Sequence, residues 1–119
     1  MAVQQEYNKR TPDLRFTTDA TLTTDDFGKL IVFDCTSSDL TCSLMPASQR
    51  DLNGWLTLYR MGSGKFSVRA GVDDEIEYSS KGGTIWCDEK KRRAANLTLE
   101  IVDIGLWAIT GATGLWKFR

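Results

Sequence analysis

The pattern of apolar and polar positions is organised around the stretch from Thr21 to Met45. A polar segment, Thr23-Thr24-Asp25-Asp26, leads through Phe27-Gly28 into the unbroken apolar run Leu30-Ile31-Val32-Phe33. The polar turn Thr36-Ser37-Ser38-Asp39 follows, and then strict alternation, with Leu40, Cys42 and Leu44 on one side and Thr41 and Ser43 on the other. A continuous run rich in β-branched residues suits a strand covered on both faces, whereas period-two alternation suits a strand with one wet face. Two such segments joined by a short Ser/Asp turn predict an antiparallel pair at the centre of a β-domain.

The same period recurs downstream. In Trp55–Met61, Leu56 and Leu58 alternate with Trp55, Thr57 and Tyr59, and Gly62-Ser63-Gly64 then predicts a tight hairpin. The returning strand puts Phe66, Val68 and Ala70 inward and Ser67 and Arg69 outward. The acidic stretch Val72–Tyr78 reads as a short edge strand, with Ile76 and Tyr78 on one side, because charge there discourages pairing with other chains. Thr84–Cys87, Asn96–Val102, Leu106–Thr110 and Leu115–Phe118 complete the set, separated by Lys81-Gly82-Gly83, Asp88–Arg93, Asp103-Ile104-Gly105 and Gly111–Gly114. Roughly nine short strands without a credible helix predict an all-β fold, a β-sandwich or jelly-roll-like single domain over residues 21–119. Residues 1–20 differ. Their apolar residues Val3, Tyr7, Leu14 and Phe16 are sparse, and Pro12 biases Thr11 to an extended conformation. They predict an extended N-terminal arm that binds a partner rather than a strand of the core.

Composition narrows the chemistry. At 119 residues the chain has the size of one domain, read from Met1 as a complete short polypeptide. Its 15 basic and 16 acidic residues leave a net charge of −1, which argues against a general nucleic-acid binder. There is no histidine, hence neither the commonest general base nor the commonest zinc ligand. Cys35, Cys42 and Cys87 lack CxxC spacing and read as reduced core thiols. No signal core or apolar span is evident, so a cytoplasmic site of synthesis and no membrane partner are expected.

Candidate constellations reduce mostly to structure. Asp73, Asp74, Glu75 and Glu77 lack the spacing of a calcium loop, and Asp25-Asp26 fits a capped turn better than half of a glycosidase pair. Lys81-Gly82-Gly83-Thr84 has the letters of a phosphate loop in the wrong order. Asn96-Leu97-Thr98 matters only in a secretory compartment. Catalysis and cofactor binding therefore have almost no residues to stand on, and a non-enzymatic protein is expected. Partner binding has more. Tyr7, Arg10, Leu14, Arg15 and Phe16 could lie in a partner's grooves, and Lys90, Lys91, Arg92 and Arg93 could meet an acidic surface. Trp55 and Trp86 are candidates for exposed anchors, whereas Trp107 and Trp116 belong to the core.

The order of these segments resembles a β-domain of tailed-phage virion proteins. The resemblance is carried by Asp26-Phe27-Gly28-Lys29, Leu44-Met45-Pro46, Gly62-Ser63-Gly64 and Trp107 through Gly111, over about residues 20–116. Met45 departs from the Leu-Pro step of that pattern, and the charged segment Asp88–Arg93 and the cysteines lie outside it. The resemblance implies a virion component without catalytic residues. A capsid decoration protein is the first expectation, bound to the major capsid protein or another virion protein, self-associated as a dimer or trimer, and free of nucleic acid. A tail-associated receptor- or carbohydrate-binding module is the alternative, and a binder of a host protein the third.

Overall fold

The computed structural model describes residues 11–91 and 94–119. Tyr7, Arg10, Arg92 and Arg93 lie outside them. Of the described residues, the apolar run becomes β3 (Leu30–Asp34) and the alternating run β4 (Leu40–Ser43). These two strands do not pair with each other: β3 lies in a six-stranded sheet and β4 in a five-stranded one, so the polar turn carries the chain across the core. The same happens twice more. β1 (Leu14–Phe16) and β2 (Ala20–Thr21) occupy opposite sheets, as do β5 (Trp55–Met61) and β6 (Phe66–Arg69). Three arches thus stack on one another, with β1, β3 and β5 parallel in one sheet and β2, β4 and β6 parallel in the other.

The remaining strands close one end of this stack. β7 (Glu75–Ile76), β8 (Thr84–Cys87), β9 (Ala95–Asp103), β10 (Leu106–Thr113) and β11 (Lys117–Phe118) extend the sheets to the orders β1-β3-β5-β9-β10-β7 and β11-β8-β6-β4-β2. β9 runs antiparallel to β5, and β8 antiparallel to β6. The result is an all-β sandwich of two mixed sheets. The jelly-roll alternative gives way, because that arrangement is antiparallel whereas the three arches pair in parallel.

Parallel register makes ladders of like side chains between the sheets. Leu14, Ile31, Leu58 and Leu97 stand side by side on one inner face, and Ala20, Cys42, Val68 and Ile85 on the other. Phe16 and Phe33 lie in register with ring centroids 5.2 Å apart, and Phe33 stacks on Phe66 across the sandwich at 4.8 Å. Trp116 meets Phe66 edge-on at 6.1 Å, and Trp107 is fully buried. The third position of the Phe16–Phe33 ladder holds Arg60, which is completely buried. Its Nε donates to the Gly64 carbonyl at 2.8 Å and its Nη2 to the Glu89 carbonyl at 2.9 Å. The guanidinium therefore closes its own arch and fastens the loop between β8 and β9 to it.

Carboxylates satisfy the strand starts that parallel stacking leaves open. Asp13 accepts from the Leu30 N–H (2.8 Å), Asp19 from the Thr41 N–H (2.8 Å) and Asp39 from the Lys65 N–H (2.9 Å). In each case the acceptor stands beside its donor on the neighbouring parallel strand, one arch to the next. Asp74, itself buried, accepts from the Ala47 N–H at 3.0 Å and ties together the loops that leave β4 and β6.

Three expectations need correction. The β3–β4 pair is an arch, because a Ser/Asp turn serves a crossing between sheets as well as it serves a hairpin. Gly62-Ser63-Gly64 is likewise no hairpin: a Cβ at Gly62 (φ +86°) would stand 2.5 Å from the Thr36 backbone nitrogen, and one at Gly64 would strike the Cys35 and Ser38 carbonyls. Glycine is needed there because this arch nests against the preceding one. Finally, residues 11–20 are not an arm separate from the sheets. Asp13 donates its N–H to the Leu30 carbonyl at 2.8 Å, Leu14–Phe16 pair with Ile31–Phe33, and Leu14 and Phe16 pack against the core. Two inward residues in a three-residue strand are too few to give a period in sequence.

Two outcomes test this arrangement. Phe16→Ala should lower stability by about 2 kcal/mol and the melting temperature by roughly 8 °C, whereas an arm free of the fold would leave both unchanged. Arg60→Met should cost about 3 kcal/mol in chemical denaturation, because two carbonyls lose a buried donor.

Candidate functional site

The outer face of the five-stranded sheet gathers the chemistry of the described residues. Because alternate residues on adjacent strands share a face, the inward ladders fix outward ones. Thr41, Ser67, Trp86 and Lys117 form one row across β4, β6, β8 and β11. Thr21, Ser43, Arg69 and Thr84 form the next row across β2, β4, β6 and β8. Arg119 follows Thr84 in that row, held by its own N–H donating to the Thr84 carbonyl at 2.9 Å and by the Thr84 N–H returning at 3.2 Å.

Trp86 seats two cations. The Lys65 Nζ stands 5.1 Å and the Arg119 Cζ 5.7 Å from its ring centroid, within reach of the ring quadrupole. With Arg69, these groups line a cleft of about 300 Å³ whose other walls are Thr41, Ser67 and Thr84. A second cleft of about 340 Å³ shares Thr41 and Arg69 with it and runs on to Thr21, Ser43 and Asp19. None of Lys65, Arg69 and Arg119 stands in an ion pair among the described residues. Lys117, at the rim, pairs with Asp88 at 2.9 Å, and its hydrogen bond holds the Asp88 carboxyl below the usual carboxylate range.

The residues expected from sequence are dispersed over the molecule. Leu14 and Phe16 face the core at the edge of the six-stranded sheet, and Arg15 points outward to Asp34 at 3.2 Å. Hydrogen bonds from Thr36, then that from Arg15, hold the Asp34 carboxyl low. Trp55 is 41% exposed on the outer face of β5, in register with Glu100. Lys90 and Lys91 are exposed, Lys90 reaching the Ser63 carbonyl at 3.5 Å. Of the proposed contact residues, only Trp86 enters the cleft. Its companions Lys65, Arg69 and Arg119 went unrecognised. Alternation in Phe66–Ala70 does turn Arg69 outward, but the convergence of Lys65 and Arg119 on Trp86 depends on pairings of β6, β8 and β11 that no local pattern shows.

The thiols are withdrawn from this surface. Cys35, Cys42 and Cys87 are free and buried. Burial pushes the Cys35 thiol up to about 11 and raises Cys42 further, so neither is a thiolate at neutral pH. Among the described residues no group of three His, Cys, Asp or Glu side chains could hold a metal ion, and no helix is long and apolar enough to cross a membrane.

A folded pKa above the ordinary value means that the neutral thiol is favoured by the fold. Its stabilisation is fully present below about pH 9 and is lost as pH rises from there through about 11. Ellman's reagent at pH 8 should therefore leave the thiols untouched in native protein and titrate them after denaturation; rapid native labelling would contradict the burial. No family model matches the chain, and no curated protein matches it.

Proposed function

We propose that this protein is a non-enzymatic structural component of a tailed-phage particle, a decoration protein that binds the capsid shell through the open end of its arch stack. One observation carries the reading: β1 and β2, the last strands of the two sheets on the same side, have no strand beyond them among the described residues. At the other end the sheets run on through the antiparallel strands β9 and β8 to the two-residue strands β7 and β11. Unpaired strand edges offer backbone donors and acceptors to another extended segment. Between them Leu14, Phe16 and Ala20 are only partly buried, so a partner laid there would gain apolar contact as well. The edges are short, three and two residues, which limits a partner's strand to a similar length and keeps the free protein from polymerising. The resemblance to phage virion domains supplies the kind of partner, the major capsid protein or another virion protein.

On this reading the protein is made in the host cytoplasm, resides on the virion, and works by burying surface across joints between shell subunits. Self-association as a dimer or trimer belongs to the same proposal, with Trp55 available on the outer face of β5. The tail-associated receptor- or carbohydrate-binding alternative is favoured by a different observation, the cleft around Trp86.

Purified protein should co-sediment with empty capsids and not with isolated tails. Phe16→Asp should weaken that binding, while Trp86→Ser should leave it intact. Pelleting with tails alone would reverse the choice, and sedimentation showing a monomer both free and on the particle would remove self-association.

A further inference from the structure

We propose that the outer face of the five-stranded sheet binds an acidic saccharide, its anionic group held by Lys65, Arg69 and Arg119 and its hydroxyls by the Ser/Thr rows that lead to Asp19. The charge distribution comes first. The chain as a whole carries −1, yet this cleft presents three cations and no acidic side chain in its lining. Two acidic side chains stand at its margins: Asp88, engaged by Lys117 and also within the field of Lys65, and Asp19, at the far end of the adjoining cleft. Lys65 and Arg119 both stand by the Trp86 ring and line the same cleft with Arg69, so positive charge is concentrated there, where a bound anion would be favoured.

Spacing comes second. Strands lie about 4.8 Å apart, so the backbones of Arg69 and Arg119, with Thr84 between them, stand about 10 Å apart. Their long side chains span that distance from opposite walls, leaving Thr84 as floor. The cleft, of about 300 Å³, offers room for a sugar unit as well as for a bare ion. From there the groove continues over Thr41, Ser43 and Thr21, small hydroxyl side chains that both donate and accept. Asp19 adds an acceptor for sugar hydroxyls at the end of the run, its other oxygen being engaged by the Thr41 N–H.

The same features disfavour other polyanions. Single-stranded nucleic acid is held by free aromatic faces on which bases stack, whereas the Trp86 ring already seats two cations. A phosphate backbone also needs a longer cationic track than three residues followed by hydroxyls and a carboxylate. The cationic part of the site lies on β6, β8 and Arg119, away from the open end of the arch stack. Only the far end of the groove, at Thr21 and Asp19, reaches β2, so capture of the anionic group stands whether or not the protein decorates a capsid.

The test uses the purified full chain and titrations followed by Trp fluorescence and calorimetry. The probes are polygalacturonate for carboxylate sugars, heparin for sulfated ones, neutral dextran, and a single-stranded oligodeoxynucleotide. Saturable binding to polygalacturonate, heparin or both is expected, weakening with salt, and the arm that binds identifies the anionic group. Arg69→Ser and Lys65→Ser should each lower affinity about tenfold, the loss of one charge-assisted contact, without a change in melting temperature since both residues are exposed. Trp86→Leu should weaken binding while leaving capsid pelleting as it is. Absence of binding to both acidic saccharides overturns the proposal. So does binding that is unchanged in the Arg69→Ser, Lys65→Ser double variant, or binding that dextran or the oligonucleotide matches.

Discussion

The structure depends on one constraint: each arch must sit in register on the one before it, strand on strand in both sheets at once. A slip of one residue would turn Ile31 and Phe33 outward and bring Val32 in. The phenylalanine contacts fix the register from inside, with Phe33 held between Phe16 and Phe66. The aspartates fix it from outside, since Asp13, Asp19 and Asp39 reach their donors only when the arches are aligned. Gly62 and Gly64 let the third arch come close enough for both. Backbone packing, side-chain stacking and strand capping thus agree on the same alignment, which is the condition for a single native state.

Arg60 marks where parallel stacking ends. It occupies the position that phenylalanine holds in the two preceding arches, and its donors reach across to the Gly64 and Glu89 carbonyls. Glu89 in turn accepts the Leu115 N–H at 2.6 Å, so one buried cation and one carboxylate join the third arch to the chain's final strands. An apolar side chain at residue 60 would continue the ladder but leave those carbonyls without donors. The antiparallel strands at this end and the parallel arches at the other give the molecule its polarity: among the described residues the sheets end on β7 and β11 at one end and on β1 and β2 at the other.

Much of this was legible in the alternation. Leu56 and Leu58, Phe66 and Val68, and Leu97, Leu99 and Ile101 all face inward as their period requires. Pairing was not legible, because a polar turn between two alternating strands fits a hairpin and an arch equally, and the choice is made by contacts between arches distant in sequence. Arg60 escaped notice because a charged residue at an inward position breaks the pattern until its carbonyl partners are known. Tyr78, expected beside Ile76, instead turns out of the sheet at φ +71° and is 76% exposed, meeting Phe118 edge-on. The cleft was partly legible for the same reasons: Trp86 stood out by type, while Lys65 and Arg119 join it only through the pairings of β8.

The two proposed binding surfaces follow from the arch stack, since it creates both the paired open edges and the outward rows of hydroxyls ending at Trp86. Backbone nuclear Overhauser effects between strands test that stack most directly. Parallel contacts of Thr41 and Cys42 with Ser67 and Val68, and of Val32 and Phe33 with Tyr59 and Arg60, are predicted, with no ladder between residues 55–61 and 66–69. An antiparallel ladder closing Trp55–Met61 onto Phe66–Arg69 across Gly62–Gly64 would contradict it.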